Sequence, residues 1–386
     1  MNPPNSSAMP PAIRVLVAYW GRYGGGGKLT AQLVPALAAD SRFAVSLSLS
    51  RQAEHFAESQ ALQVPLWPID TFQTMAGLIG RTLLLPLTAW RFRAALRRNR
   101  IDAVVVVMPH VWDRVFQIVA QAAGVHWLVW AHDADQHPGE RSRLLDWLQG
   151  REFVAADAVI TASRFVAARL QARRKLAADR IVQLFLPVLT YPGAVQKARP
   201  RKPFRFLFFG RLLPYKGVPL LLEAFAKLRA HNIDATLTIA GDGAIDAPVA
   251  SITQPGVTLQ QGWIEPDQIG AVLAAADAMV VPYVEASQSG VIAAAYGAGL
   301  PVIATPVGGL AEQVVPEQTG LVTTAIDAAS LADAMRRLVE DGALYARCAA
   351  GAAQQQDTNS WKHFASLLGD AIENVVTRRP ADASLR

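Results

Sequence analysis

The sequence predicts an α/β protein made of two doubly wound parallel-sheet units, and three observations predict it. Short runs that are apolar throughout recur along the chain, such as the valines of Val104–Val107. Strands without polar alternation belong to parallel sheets covered on both faces. Helical patterns separate these runs, which is the rhythm of βαβ units. The rhythm breaks once, over Tyr191 to Pro203, and then restarts. At 386 residues, two domains are also favoured over one.

In the first half, strands are expected at Ile13–Tyr19, Phe43–Leu49, Ala103–Met108, His126–Ala131 and Ala158–Thr161. A Gly-rich turn follows the first strand and leads into a helix from about Lys28 to Ala39. The Pro-, Gly- and Lys/Arg-containing stretch 191–203 is the expected linker. It separates an amino-terminal unit, 12–190, from a carboxy-terminal unit, 204–357. There the strands are Phe204–Phe209, Ala235–Ala240, Val257–Gln260, Ala278–Val281, Val302–Thr305 and Leu321–Thr323. Helices fall between them, including Val218–Leu228, Gln268–Ala276, Val291–Ala298 and Ser330–Asp341. A last helix, about Trp361 to Val376 within 358–377, has no strand after it, and the tail from Thr377 reads as disordered.

Bulk properties narrow the function. A hydrophobic content of 52% supplies two cores, and Cys348 is the single cysteine, which suits a reducing compartment. Met1 to Pro11 lacks the charged start and apolar core of a signal peptide, so a cytoplasmic location is expected. The nearest approach to a membrane span, Met75 to Trp90, is short, is interrupted by Arg81 and Pro86, and runs into Arg91, Arg93, Arg97, Arg98 and Arg100. An apolar stretch leading into arginines can lie on an anionic membrane surface, so a peripheral position at the inner face of a membrane through residues 75–100 is one reading. The net charge of +6 and a pI near 9.6 agree with it. The plain alternative is a domain helix with a solvated basic face. No nucleic-acid partner is expected, because no recognition-helix, zinc-ligand or base-stacking pattern accompanies the arginines.

The loops after the second-half strands carry the chemistry. They are Gly210-Arg211 through Lys216-Gly217, Ala240-Gly-Asp-Gly243, Gly262-Trp263-Ile264, Pro282-Tyr283 through Gln288-Ser289-Gly290-Val291, and Thr305 to Leu310. All lie at strand carboxyl ends, where open α/β sheets bind ligands. Arg211 and Lys216 flank a Pro-containing turn before a helix. A guanidinium fork, an ammonium and a helix start make an anion site; solvated turn residues are the alternative for any one loop alone.

This ordered set of motifs resembles the retaining family 4 glycosyltransferases of the GT-B fold, closely over about Phe204 to Thr323, in the subset with a Gln-Ser-Gly-Val donor loop. The resemblance implies two Rossmann-like domains facing across a cleft, a last helix crossing back to the first domain, and sugar transfer from a nucleotide donor (UDP-, GDP- or ADP-sugar). A glycan or lipid-linked acceptor fits, as in assembly of surface polysaccharide or glycolipid. Arg211 and Lys216 would hold the diphosphate. Gly210, Gly241, Gly262, Trp263, Ile264, Tyr283, Gln288, Ser289, Gly290 and Val291 would line the donor site. Two glutamates are usual; Ala294 stands at the second, and Glu285 is one residue from the first, near Ala286, so the ribose contact is unassigned.

In the first half, Gly21 and Gly24–Gly27 let backbone approach a ligand, with Gly25 and Gly26 facing the donor phosphates by resemblance. A dinucleotide fingerprint is excluded by spacing and by the lack of an acid near Ser50. The resemblance also places His132 against the donor sugar, with Asp133 beside it. Asp133 and Asp135, with His132 and His137 nearby, make a divalent-metal site chemically conceivable. No metal or other cofactor is expected, since Arg211 and Lys216 already meet the phosphate charge; helix capping and solvation are the plain reading of those acids. His110 is a lesser candidate for the acceptor side. Two alternatives stay open: an inverting transferase with His132 or Asp133 as base, and a non-catalytic nucleotide-sugar-binding subunit.

Overall fold

A computed structural model describes residues 12–135, 142–194 and 202–378. It contains two all-parallel sheets. The first comprises β1 (Ile13–Tyr19), β2 (Phe43–Ser50), β3 (Leu66–Ile69), β4 (Ala103–Val106), β5 (His126–Ala131), β6 (Ala158–Thr161) and β7 (Ile181–Gln183), in the order β3-β2-β1-β4-β5-β6-β7. The second comprises β8 (Phe204–Phe209), β9 (Ala235–Gly241), β10 (Val257–Gln261), β11 (Ala278–Val281), β12 (Val302–Ala304) and β13 (Gly320–Val322), in the order β10-β9-β8-β11-β12-β13. Two doubly wound parallel sheets were the expected architecture. The central strands are buried on both faces: all four residues of β4, of β6 and of β11 are inaccessible. That is why their sequences show no alternation.

Two strands escaped the sequence reading, and both are edges. β3 contains Pro68, whose missing N–H is tolerated where no strand lies outside it. β7 is three residues long and only half-buried, so it carries no apolar run. The helix Gly342–Thr358 was also missed; Gly342 and Gly351 dilute its pattern, although Asp341 caps it through the amides of Ala343 and Leu344. The first helix runs Gly25–Ala38, so the glycines after Gly24 form its first turn rather than a turn before it. The apolar stretch at 75–90 is two helices, Met75–Leu83 and Leu85–Arg98, divided at Leu84. Pro86 forces this, because its ring would strike the carbonyl four residues back in a continuous helix.

The last helix, Trp361–Thr377, leaves the second sheet and packs on the first unit. Its Phe364 stacks on Trp130 of β5 with ring centroids 4.8 Å apart. Its Asp370 and Glu373 clamp Arg42 at 2.7 and 2.9 Å. Residues 195–201 of the linker stretch, and those of the expected tail beyond Arg378, lie outside the described residues.

Inside the first unit, Asp113 and Glu152 are buried together. Glu152 accepts a hydrogen bond from the Trp127 indole at 3.1 Å, and Asp113 accepts from the His110 amide. Burial pushes both carboxyls up, Glu152 to about 8. A folded state that holds a proton more tightly than the unfolded chain is most favoured at acid pH. The stabilisation is complete below the ordinary carboxyl range and is lost as pH rises towards about 8. Glu152→Gln keeps an acceptor for Trp127 and cannot ionise. It should melt above the wild type at about pH 9 and level with it at about pH 4, by scanning calorimetry; equal melting at both would show that the carboxyl does not titrate on unfolding.

Candidate active site

The carboxyl ends of both sheets open onto one crevice with a cavity of about 380 Å³. From the second sheet it is lined by Gly210, Arg211 and Lys216 after β8, by Gly241 and Asp242 after β9, and by Trp263 and Ile264 after β10. Gln288, Ser289, Gly290 and Val291 line it at the start of the helix Gly290–Gly297, with Ala294 one turn further on. From the first unit come Gly24, Gly25, Lys28, Glu54 and His55, with Tyr191 at the junction.

Backbone geometry explains how the loops converge. Gly210 donates to Ala240 O at 3.0 Å, and Gly262 donates to Gly241 O at 2.9 Å, so three neighbouring strand ends are tied in a row. A Cβ on Gly241 would lie 1.8 Å from Gly210 O, so only glycine fits there. Gly217 has φ of 70°, and a Cβ on it would lie 1.9 Å from Pro282 O. That contact sets the turn of Pro214–Lys216 against the loop after β11. Lys216 is held by aromatic faces, its Nζ 3.8 Å from the Tyr283 ring centroid and 4.9 Å from that of Tyr215. The ammonium is thus fixed at the wall of the crevice that Arg211 also lines.

The helix at Gly290 meets the crevice with its amino end. Ser289 is not available there, because its amide donates to Gln313 Oε1 at 2.7 Å and its carbonyl accepts from Gln313 Nε2 at 3.1 Å. Gly290 and Val291 supply first-turn amides, which have no partner within a helix. Ala294 is buried and lines the cavity, so the site has a methyl where the resembling family carries a carboxylate.

His132 lies behind the wall rather than in it. Its Nε2 bonds Val107 O at 2.8 Å, and its Nδ1 bonds Gln288 Nε2 at 2.8 Å across the two units. Since the carbonyl only accepts and the amide nitrogen only donates, the ring is neutral with its proton on Nε2. Burial pushes its pKa down, consistent with that state. Gln288 is therefore oriented by His132, and its Oε1 is buried without a hydrogen-bond partner. A histidine whose pKa is lowered by folding contributes stability above its ordinary range, near pH 6.5, and loses it as pH falls. His132→Gln should show a shallower acid-side loss of stability, by up to about 1.4 kcal/mol per pH unit. Identical slopes in chemical denaturation between pH 7 and 5 would show that folding does not lower the pKa of this ring.

Several expected residues stand outside the lining. Asp133 follows His132 off the cavity, and Glu285 is an exposed loop residue. Gly26 is buried against Tyr19, Gly262 serves the strand ends, and Tyr283 supports Lys216 from below. Asp135, one of the acids of the conceivable Asp133/Asp135 pair, is engaged by Arg169 and Arg173. His137 lies outside the described residues. Among the described residues no group of three or more His, Cys, Asp or Glu side chains is placed to hold a metal ion. His110 packs between Phe72 and Trp112, and burial, with Arg22 nearby, pushes it down to about 4.

Lys28, Glu54 and His55 were missed. Glu54 accepts from the Gly24 amide at 2.9 Å and lies 3.3 Å from His55 Nε2; Lys28 Nζ sits 4.9 Å over the Tyr191 ring. Lys28 follows the glycine run directly, so its position was a usable signal. Glu54 and His55 lie in an irregular loop after β2 that carries none.

Residues 24–186 match the model for a glycosyl transferase 4-like domain, and residues 203–341 match that for glycosyl transferases group 1. The chain belongs to the GT-B glycosyltransferases. A D-inositol 3-phosphate glycosyltransferase of Pseudarthrobacter chlorophenolicus is 31% identical over 183 residues, which is 45% of this chain and 44% of that protein. A glycogen synthase of Mycobacterium tuberculosis is 31% identical over 205 residues, 49% of this chain and 50% of that protein. The chain thus spans about half the length of the curated relatives it matches. Among solved folds, a glycosyltransferase from Rickettsia africae aligns with a TM-score of 0.71 at 15% identity, over 96% of this chain and 100% of that one. The Anabaena HepE protein in complex with UDP and glucose aligns with a TM-score of 0.71 at 17% identity, over 94% of this chain and 100% of that one. These likenesses are of GT-B fold.

Proposed function

We propose that this glycosyltransferase moves a sugar from a nucleoside-diphosphate sugar to a glycan or lipid-linked acceptor, with retention of anomeric configuration and without a metal. The observation that carries the reading is the convergence of Arg211, Lys216 and the amino end of the helix Gly290–Gly297 on one crevice. Fixed cations and helix amides stabilise charge developing on a leaving diphosphate without reorganising. They also remove the need for a divalent ion. Trp263 and Ile264 give the base an apolar edge, and Gln288 adds a polar side chain to the lining. UDP bound in the HepE neighbour supports a nucleotide donor.

In the transfer, the bond from the anomeric carbon to the β-phosphate oxygen breaks, and the acceptor oxygen attacks from the same face. The acceptor proton passes to the departing phosphate oxygen, so no protein nucleophile is used. An inverting route through His132 is disfavoured, because both its ring nitrogens are already bonded. A lipid-linked acceptor places the enzyme at the inner face of a membrane, with the side bearing residues 75–100 towards it. UDP-, GDP- and ADP-sugars should be screened by thermal shift, where the true donor raises the melting temperature by mass action. NMR of the product then reads the anomer: the donor's own configuration is expected, and its inverse would refute same-face attack.

A further inference from the structure

We propose that the outer helical layer of the first unit is a docking face for an anionic lipid bilayer. Four helices form this layer: Met75–Leu83, Leu85–Arg98, Asp113–Gln121 and Arg143–Ala155. They cover one face of the first sheet through a core that includes Leu85, Phe92, Leu96, Phe116 and Phe153. Their outer sides are unusually apolar. Of seventeen large apolar side chains exposed among the described residues, eleven lie on these helices or at the Leu84 junction between the first two. A monomer rarely leaves so much apolar surface in water unless it meets something.

The pattern is directional. Met75, Ile79 and Leu83 recur every four residues, so they share one face of their helix, and they are 71%, 64% and 77% exposed. On the next helix, Leu87, Trp90, Arg91, Arg97 and Arg98 fall on the side opposite the buried Leu85, Ala89, Phe92 and Leu96. Apolar groups thus lead and arginines follow along one surface.

Charge selects the occupant. Residues 75–100 hold six arginines and no acid. The other two helices hold three acids; Asp113 and Glu152 are buried, and Asp146 is paired with Arg174. Among the described residues of these four helices, the outer face therefore offers cations and apolar groups with no exposed, unpaired carboxylate to repel phosphate. Aliphatic and tryptophan side chains bordered by arginines suit the acyl and headgroup layers together. No described helix is long and apolar enough to cross a membrane, so contact along the surface is the mode that fits.

The face also ends at the mouth of the crevice. The Met75 helix is capped by Thr74, which accepts from Gly77 N at 3.1 Å. Just before it, Phe72 packs on Arg22 at 5.6 Å and on His110 at 5.7 Å. Arg22 adjoins Tyr23, whose ring lies 6.3 Å from that of Trp263 across the crevice. A bilayer on this face would therefore present a lipid-linked acceptor beside the donor site; this last step rests on the function proposed above, whereas the docking itself does not.

The test is co-sedimentation of the full chain with phosphatidylcholine vesicles, with and without phosphatidylglycerol, in the absence of donor and acceptor. Binding is expected only with phosphatidylglycerol, weakening as salt rises. The triple variant Arg91→Glu/Arg97→Glu/Arg98→Glu should lose about 100-fold in partitioning. Ile79→Ser/Leu83→Ser should also release the protein, through the apolar share. Each variant must keep the wild-type melting temperature and its nucleotide-sugar shift, which separates failure of docking from failure of the donor site. Unchanged partitioning in both variants, equal binding to neutral vesicles, or a stable dimer in sedimentation velocity that the apolar variant abolishes would overturn the proposal.

Discussion

Arg211→Ala is expected to slow sugar transfer by about 10²–10³-fold in a protein that still folds. The guanidinium stands on an exposed loop at the end of β8, so the core loses nothing with it. What is lost is a fixed cation at the oxygen where charge grows as the diphosphate departs. Lys216→Met should give a similar loss, accompanied by a small drop in stability, because the ammonium rests on the Tyr283 and Tyr215 rings. The double variant should cost less than the product of the two, since both act on one leaving group. Single-turnover kinetics with saturating donor separates this from weakened binding. A folded Arg211→Ala enzyme with wild-type turnover would remove the diphosphate role from this residue.

Gly241→Val is expected to cost about 3 kcal/mol or more of stability in the second unit, together with the nucleotide response. The added carbon would sit 1.8 Å from Gly210 O, a contact between backbones that no rotamer relieves. β8 and β9 would have to separate at the end where Gly210 bonds Ala240 and Gly262 bonds Gly241. Those same ends carry Arg211 and the loop leading to Trp263. Gly25→Ala is the control, because a Cβ there meets nothing within 4 Å. Denaturant melts should show a large shift for the first variant and a slight gain or none for the second. Equal stability of Gly241→Val and wild type would mean that the strand ends are far looser than their contacts imply.

The architecture was legible because buried parallel strands leave a plain mark. β1, β5, β6, β8 and β11 stand at the bounds their apolar runs suggested. Edge strands leave a weaker mark, since half their surface needs no apolar residue, and β3 and β7 were lost for that reason. The donor-side loops were legible through their glycines and cations. Lys28 was within reach, since it follows the glycine run, but Glu54 and His55 enter the crevice from an irregular loop, and no local pattern announces a long-range approach. The hydrogen-bond setting of His132 was hidden for the same reason. Its position at a strand end was visible, but the contact with Gln288, 156 residues away, decides that it orients a wall residue.

The central claim is that Arg211 and Lys216 form a cradle for a diphosphate, and calorimetric titration with UDP, GDP and ADP and their parent nucleosides tests it most directly. One diphosphate should bind to the wild type, its nucleoside should bind far more weakly, and Arg211→Ala/Lys216→Met should erase the difference between the two. Undiminished binding of the diphosphate by the double variant, or no preference for diphosphate over nucleoside in the wild type, would contradict the account.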